Sequence, residues 1–83
     1  MAKIYLTPNT QNLYKKIRDS KLKSKIKVGL AKLSQDPYLG KKLKGELEGQ
    51  YSIKIWPYRI LYYITPTKDI VVTDIRHRKD VYR

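Results

Sequence analysis

Hydrophobic positions along this chain follow two rhythms, and one gives way to the other near residue 40. In the first part, Leu22, Ile26, Leu30 and Leu33 recur at i, i+4, i+8 and i+11. That is one apolar stripe, and it predicts a helix over about 21–35. Leu13, Tyr14 and Ile17 share the spacing and predict an earlier helix over about 8–18. Thr7-Pro8 supplies its N-cap and first residue, since proline lacks an N–H that a helix start leaves unpaired anyway. Ser20 is the candidate cap of the second helix, and Asp36-Pro37 ends it, because the residue before proline is pushed out of the α region. Gly29 sits in mid-helix, where it costs up to ~1 kcal/mol against Ala unless another element packs closely. Residues 2–7 ahead of the hairpin are short and β-prone.

Beyond residue 38 three glycines, Gly40, Gly45 and Gly49, punctuate a basic connector, and from Tyr51 the period becomes two. Tyr51, Ile53 and Ile55 point one way and Ser52, Lys54 and Trp56 the other. Trp56-Pro57 makes the turn into a second strand, where Tyr58, Ile60, Tyr62 and Ile64 oppose Arg59, Leu61 and Tyr63. Residues 66–69 form the next turn. A third strand, 70–78, puts Val71, Thr73, Ile75 and His77 on one face and Val72, Asp74, Arg76 and Arg78 on the other. The predicted order is β-α-α-β-β-β, an α+β sandwich with an N-terminal helical hairpin packed on one antiparallel sheet. Residues 1–83 read as a single domain without internal repeats.

Size and composition narrow the function. A chain of 83 residues buries only about 60% of its unfolded surface, so the core is thin. No cysteine is present, which excludes disulfides, thiolate-zinc sites and cysteine nucleophiles. One histidine and seven acids leave little to build a metal cage from, and no metal or cofactor is expected. No signal-like h-region opens the chain, and the longest apolar run, residues 60–64, is far short of the ~20 residues of a membrane span. A cytoplasmic protein without a membrane partner is expected.

Charge changes the picture most. Nineteen Lys and Arg against seven acids give +12, a self-repulsion that points to a polyanionic or strongly acidic partner. Residues 15–32 hold eight basic residues and one acid, a local +7. Such lysine-rich helices suit contacts to backbone phosphates, which carry affinity but no sequence readout. The strand cations differ in kind. Paired in chain order, the strands crowd Lys54, Arg59, Arg76 and Arg78 onto one sheet face, where Asp74 is the single carboxylate and neutralises only one of them. Crowded like charges answer an anionic ligand.

These residues form a recognisable pattern. The run from Asp36-Pro37 through Lys42-Leu43-Lys44-Gly45 to Tyr51-Ser52-Ile53-Lys54-Ile55, the strand Tyr58-Arg59-Ile60-Leu61-Tyr62, and the close His77-Arg78-Lys79-Asp80-Val81-Tyr82-Arg83 resemble the RelE/ParE superfamily of toxin–antitoxin toxins. The resemblance spans nearly the whole chain. It implies a RelE-like sandwich and, in the RelE-like branch, a toxin that enters the ribosomal A site. There it cuts mRNA without metal, by attack of a ribose 2′-OH on the adjacent phosphate. It also implies a cognate antitoxin, RelB-like or of another type, acidic and partly disordered, that holds the toxin in a hetero-oligomer. The 70S ribosome and mRNA complete the implied partners.

Carried over by position, Arg59 matches an arginine on the scissile phosphate, Arg78 the arginine of the last strand, Tyr82 a C-terminal active-site tyrosine and Lys54 one of two strand lysines. Ser52 stands where RelE itself has the other lysine, and no C-terminal helix follows Tyr82.

The chemistry assigns Arg59 and Arg78 to the phosphate oxygens, as guanidinium forks. Lys54 is the candidate base, and Tyr82 orients the nucleophile or stacks on a base. Lys42, Lys44, Arg76, Lys79 and Arg83 are expected to bind RNA around this centre. His77 is the single histidine, which rules out a two-histidine mechanism, and by strand parity it faces away from Arg76 and Arg78. A ParE-like inhibitor of DNA gyrase and a non-catalytic RNA- or ribosome-binding module are the alternative readings.

Overall fold

The computed structural model describes residues 2–81. Strand β1 (Ile4–Leu6) leads into helices α1 (Pro8–Lys16) and α2 (Ser20–Gln35). A short strand β2 (Lys41–Lys42) and a 3-10 turn (Gly45–Leu47) carry the chain to three longer strands. These are β3 (Tyr51–Ile55), β4 (Tyr58–Ile64) and β5 (Ile70–His77), and a last helical turn, α3 (Arg78–Val81), follows them. The two long helices pack on one face of a five-stranded sheet in the order β1-β5-β4-β3-β2. The predicted α+β class and element order hold, with β2 added.

The sheet is mixed, which corrects the all-antiparallel expectation. β2, β3, β4 and β5 pair antiparallel, but β1 runs parallel to β5, with Ile4 opposite Ile70 and Leu6 opposite Val72. A parallel neighbour needs a long crossover, and the helical hairpin lies within the one that joins β1 to the rest of the sheet.

Local chemistry explains most of the boundaries. The Thr7 hydroxyl accepts from the Thr10 amide at 3.2 Å and Pro8 opens α1. Asp19, not Ser20, caps α2, because its carboxylate accepts from the amides of both Lys21 (2.9 Å) and Leu22 (3.3 Å). A carboxylate at a helix N-terminus also meets the positive end of the helix dipole. α1 ends at Lys16, and α2 ends at Gln35 with Asp36 as its C-cap. Gly29 has its packing reason: a Cβ there would collide with the Ile55 side chain of β3.

Between helices and sheet lies one apolar cluster. Ile26, Leu33, Ile60, Tyr62, Ile70 and Val72 are at most 1% exposed, and Ile17 and Ile75 close its edges. Tyr51, Ile53, Ile55 and Tyr58 pack against it, as strand parity requires. Parity alone fails in β5. Leu61 pairs with Asp74 but Tyr62 with Val72, so Thr73 is an extra residue in a bulge. The bulge reverses the facing of the first half of β5, and Val72 rather than Val71 enters the core. The Val72 carbonyl accepts from the buried Thr10 hydroxyl (3.0 Å) and the Thr7 amide (3.2 Å), which ties α1 to this point. The Thr73 hydroxyl reaches Gln50 Oε1 at 2.9 Å and the Leu61 carbonyl at 3.3 Å.

The core also reaches out to hold the loop that follows α2. Tyr62 is wholly buried, and its phenol donates to the Pro37 carbonyl and accepts from the Gly40 amide, both at 2.9 Å. Tyr51 stacks on its ring at 5.5 Å, Tyr38 meets Tyr51 edge-on at 6.0 Å, and the Lys68 ammonium donates to the Tyr38 hydroxyl at 3.0 Å. A Cβ at Gly40 would lie 2.5 Å from the Tyr62 hydroxyl and 2.8 Å from the Ser52 carbonyl, so no larger residue fits without moving β3 or the tyrosine.

Two stability predictions follow from the Tyr62 anchor. Tyr62→Phe keeps the ring and strands the Gly40 amide and Pro37 carbonyl, and we expect a loss of about 1–3 kcal/mol in urea unfolding. Burial raises the Tyr62 phenol above its ordinary value of 10.0. The stability contributed by the neutral phenol is therefore complete below pH 10.0 and is lost as pH rises through the folded value. In urea titrations at successive alkaline pH values, the gap between wild type and Tyr62→Phe should narrow. A constant gap up to unfolding would contradict this. Gly40→Ala should destabilise by about 1–3 kcal/mol through overpacking, read from the urea midpoint.

Candidate functional site

The sheet face away from the helices carries the charge. Register alone assembles it: Lys54 pairs with Arg59, and Arg59 with Arg76, across three adjacent strands. Directly paired side chains share a face and stand about 5 Å apart, so three cations form one row. The neighbouring row holds Ser52, Leu61 and Asp74. Leu61 is 3% exposed there, which gives the charged face an apolar floor.

Asp74 engages one cation of the row. Its Oδ2 accepts from Arg76 Nε at 2.8 Å, while its Oδ1 accepts from the Ile75 amide. This is the one ion pair among the described residues. Arg76 is thereby engaged by a carboxylate, while Lys54 and Arg59 form no ion pair among the described residues.

Beside these two cations lies a cleft of about 410 Å³, lined by Leu39, Gly40, Lys41, Ser52, Lys54 and Arg59 among others. One wall is the loop that the Tyr62 phenol holds through Gly40 and Pro37. Lys41 is the lining residue that reading the sequence passes over. It pairs with Ser52 and so faces the cleft, whereas Lys42 pairs with Tyr51 and falls on the helix side of the sheet. A strand of two residues has no alternation to read, so no pattern in the sequence separates these lysines. Register does.

Arg78 departs from its expected place in the last strand. It is the first residue of α3, its amide donates to the Pro57 carbonyl at 2.9 Å, and its guanidinium lies over the Trp56 ring at 4.7 Å from the centroid. Trp56 is 62% exposed in the β3–β4 turn, and the cation–π contact holds Arg78 there, outside the residues that line the cleft. Tyr63 shares the cationic face and is partly exposed.

Lys44 precedes the 3-10 turn and Lys79 lies in α3, both exposed. His77 faces the helix side, edge-on to Tyr58 at 5.4 Å, and its Nδ1 accepts from the Lys79 amide at 3.2 Å. Tyr82 and Arg83 lie outside the described residues. No three His, Cys, Asp or Glu side chains among the described residues come together in a metal-binding group. No helix among them is long and apolar enough to cross a membrane.

Comparison with known proteins places this geometry. Residues 4–82 match the model of the ParE toxin of the type II toxin–antitoxin system. Toxin RelG of Mycobacterium tuberculosis is 35% identical over 60 residues, which cover 70% of this chain and 69% of RelG. Among solved structures, a chain of the RelBE2 toxin–antitoxin complex of M. tuberculosis superposes with a TM-score of 0.81 at 26% identity, over 93% of this chain and 98% of that one. The YoeB–YefM complex of Staphylococcus aureus gives 0.79 at 24% identity, over 93% and 97%. The intact RelBE complex of Escherichia coli gives 0.79 at 20% identity, over 93% and 96%. The last two show the fold alone. With its family model matched from the first strand to the C-terminal segment, this chain belongs to the ParE toxin family of type II toxin–antitoxin systems.

Proposed function

We propose that this toxin is a ribosome-dependent endoribonuclease that cuts mRNA in the A site and so stops translation. The observation that carries the reading is the register of Lys54, Arg59 and Arg76, which lines up three cations beside a cleft while Asp74 engages only Arg76. A surface that merely keeps a protein soluble intersperses both signs. In the cutting reaction the ribose 2′-oxygen bonds to the adjacent phosphorus and the bond from phosphorus to the 5′-oxygen breaks. The 2′ proton passes to a base and the 5′-oxygen takes up a proton, leaving a cyclic phosphate and a 5′-hydroxyl.

Each candidate residue has a role in that step. Arg59 forks onto the non-bridging oxygens, where charge builds in the transition state. Arg78, held by Trp56, is the second guanidinium and acts through charge, since arginine is a poor proton donor. Lys54, beside Arg59, is the candidate acceptor of the 2′ proton, a role that only its neutral amine can fill, since the ammonium form donates alone. Tyr82 orients the nucleophile or stacks on a base. Arg76, Lys44, Lys79 and Arg83 serve the RNA backbone around the centre, whereas Lys42, on the helix side, serves the +7 hairpin surface. The relatives in RelBE and YoeB–YefM complexes support a cognate antitoxin as the partner, and in this reading the antitoxin is acidic and partly disordered and meets the toxin in the cytoplasm.

A second reading has an observation of its own: the matched family model is that of ParE, and a ParE-like toxin would inhibit DNA gyrase without a nuclease site. Primer extension on translated mRNA, with and without ribosomes, separates the two. We expect cleavage only with ribosomes, and a loss of about 10²–10³-fold in rate for Arg59→Ala. Arg78→Ala should fall similarly and relieve growth arrest on induction. Arrest with intact mRNA and blocked DNA supercoiling would establish the gyrase reading. Harmless expression of soluble wild type would leave a binding module.

A further inference from the structure

We propose that Lys41 is a further substrate-binding residue of the cleft and holds an RNA backbone phosphate from the β2 side. The proposal rests on the nuclease reading and adds a residue to it. Three observations place Lys41 there. It pairs with Ser52, on the same sheet face as Lys54 and Arg59, and it lines the same cleft of about 410 Å³. The residue between it and Lys54 is a serine, small and 7% exposed, so no bulky side chain separates the two ammonium groups from one anion. The row that runs Lys41, Ser52, Leu61, Asp74 carries its negative end on Arg76 and leaves its positive end facing the cleft.

The strand that presents Lys41 is itself held firmly. The preceding residue, Gly40, is fixed by its amide on the Tyr62 phenol, and on the other side the Leu43 amide donates to the Gln50 carbonyl at 2.9 Å. A two-residue strand pinned at both ends fixes the backbone that carries Lys41 and so the face from which its side chain reaches. Lys41, Lys54 and Arg59 line one cleft and form no ion pair among the described residues, a concentration of positive charge that suits a phosphate backbone.

The test compares single-residue variants in ribosome-programmed mRNA cleavage. Lys41→Ala should lower kcat/KM about tenfold, chiefly through KM, the loss of one charge-assisted hydrogen bond to phosphate. Lys41→Arg should restore most of it. Lys3→Ala removes the same charge at the β1 edge of the sheet and should stay within about twofold of wild type, which controls for net charge. Binding of a short single-stranded RNA gives a readout that a structural defect would not imitate. Its slope of log K against log salt should fall by about 0.7 for Lys41→Ala, the share of one phosphate contact. If Lys41→Ala matches Lys3→Ala while Arg59→Ala is inactive, Lys41 has no such role and the nuclease reading stands. A wild type that cuts nothing with ribosomes overturns both.

Discussion

Strand register governs this molecule, because Lys54, Arg59 and Arg76 cannot be placed against an apolar core. In a strand the side-chain period is two, so a slip of one residue between β3 and β4 would drive Lys54 or Arg59 under the helices and turn Ile53 and Ile60 to water. Burying one unpaired cation costs several kcal/mol, a large share of the stability of an ordinary small domain. The alternation that packs Tyr51, Ile53, Ile60 and Tyr62 inward is therefore the same constraint that gathers the cations outward. Core and site are two faces of one pairing decision.

That coupling explains why much of the molecule is legible in its sequence. The helical stripe of Leu22, Ile26, Leu30 and Leu33 and the alternation in β3 and β4 are local patterns, and both elements form where they are predicted. The row of Lys54, Arg59 and Arg76 follows from parity once the strands are paired in chain order. What stays hidden is long-range or too short for a period. The parallel pairing of β1 with β5 joins residues 66 positions apart, and nothing local in the run Ile4–Leu6 announces its direction. The bulge at Thr73 exists because of what Leu61, Gln50 and Thr10 offer around it. Asp19 caps α2 where Ser20 was equally plausible, since both are capping residues and only geometry separates them. The placement of Arg78 depends on Trp56 across a turn, and the facing of Lys41 on two hydrogen-bonded residues.

Charge is divided between the two layers in a way that composition conceals. The hairpin holds a general +7 surface of seven lysines and one arginine, suited to a large polyanion or an acidic partner. The sheet holds fewer cations, but it fixes each by register, by Asp74, by Trp56 or by the Tyr62 anchor. Affinity and positioning are thus assigned to different faces. A partner that covers the hairpin need not touch the cleft, and one that fills the cleft must displace whatever phosphate it holds.

The same short strand that shapes the cleft also sets how the sheet ends. An open sheet edge is a template onto which any extended chain can add. Here the β2 edge offers only Lys41 and Lys42, a two-residue stretch of like charge followed by the glycine-rich 3-10 turn. Two of these edges brought together would set lysine against lysine. The short strand that turns Lys41 into the cleft therefore also guards the toxin against growing a β-stack with its own copies.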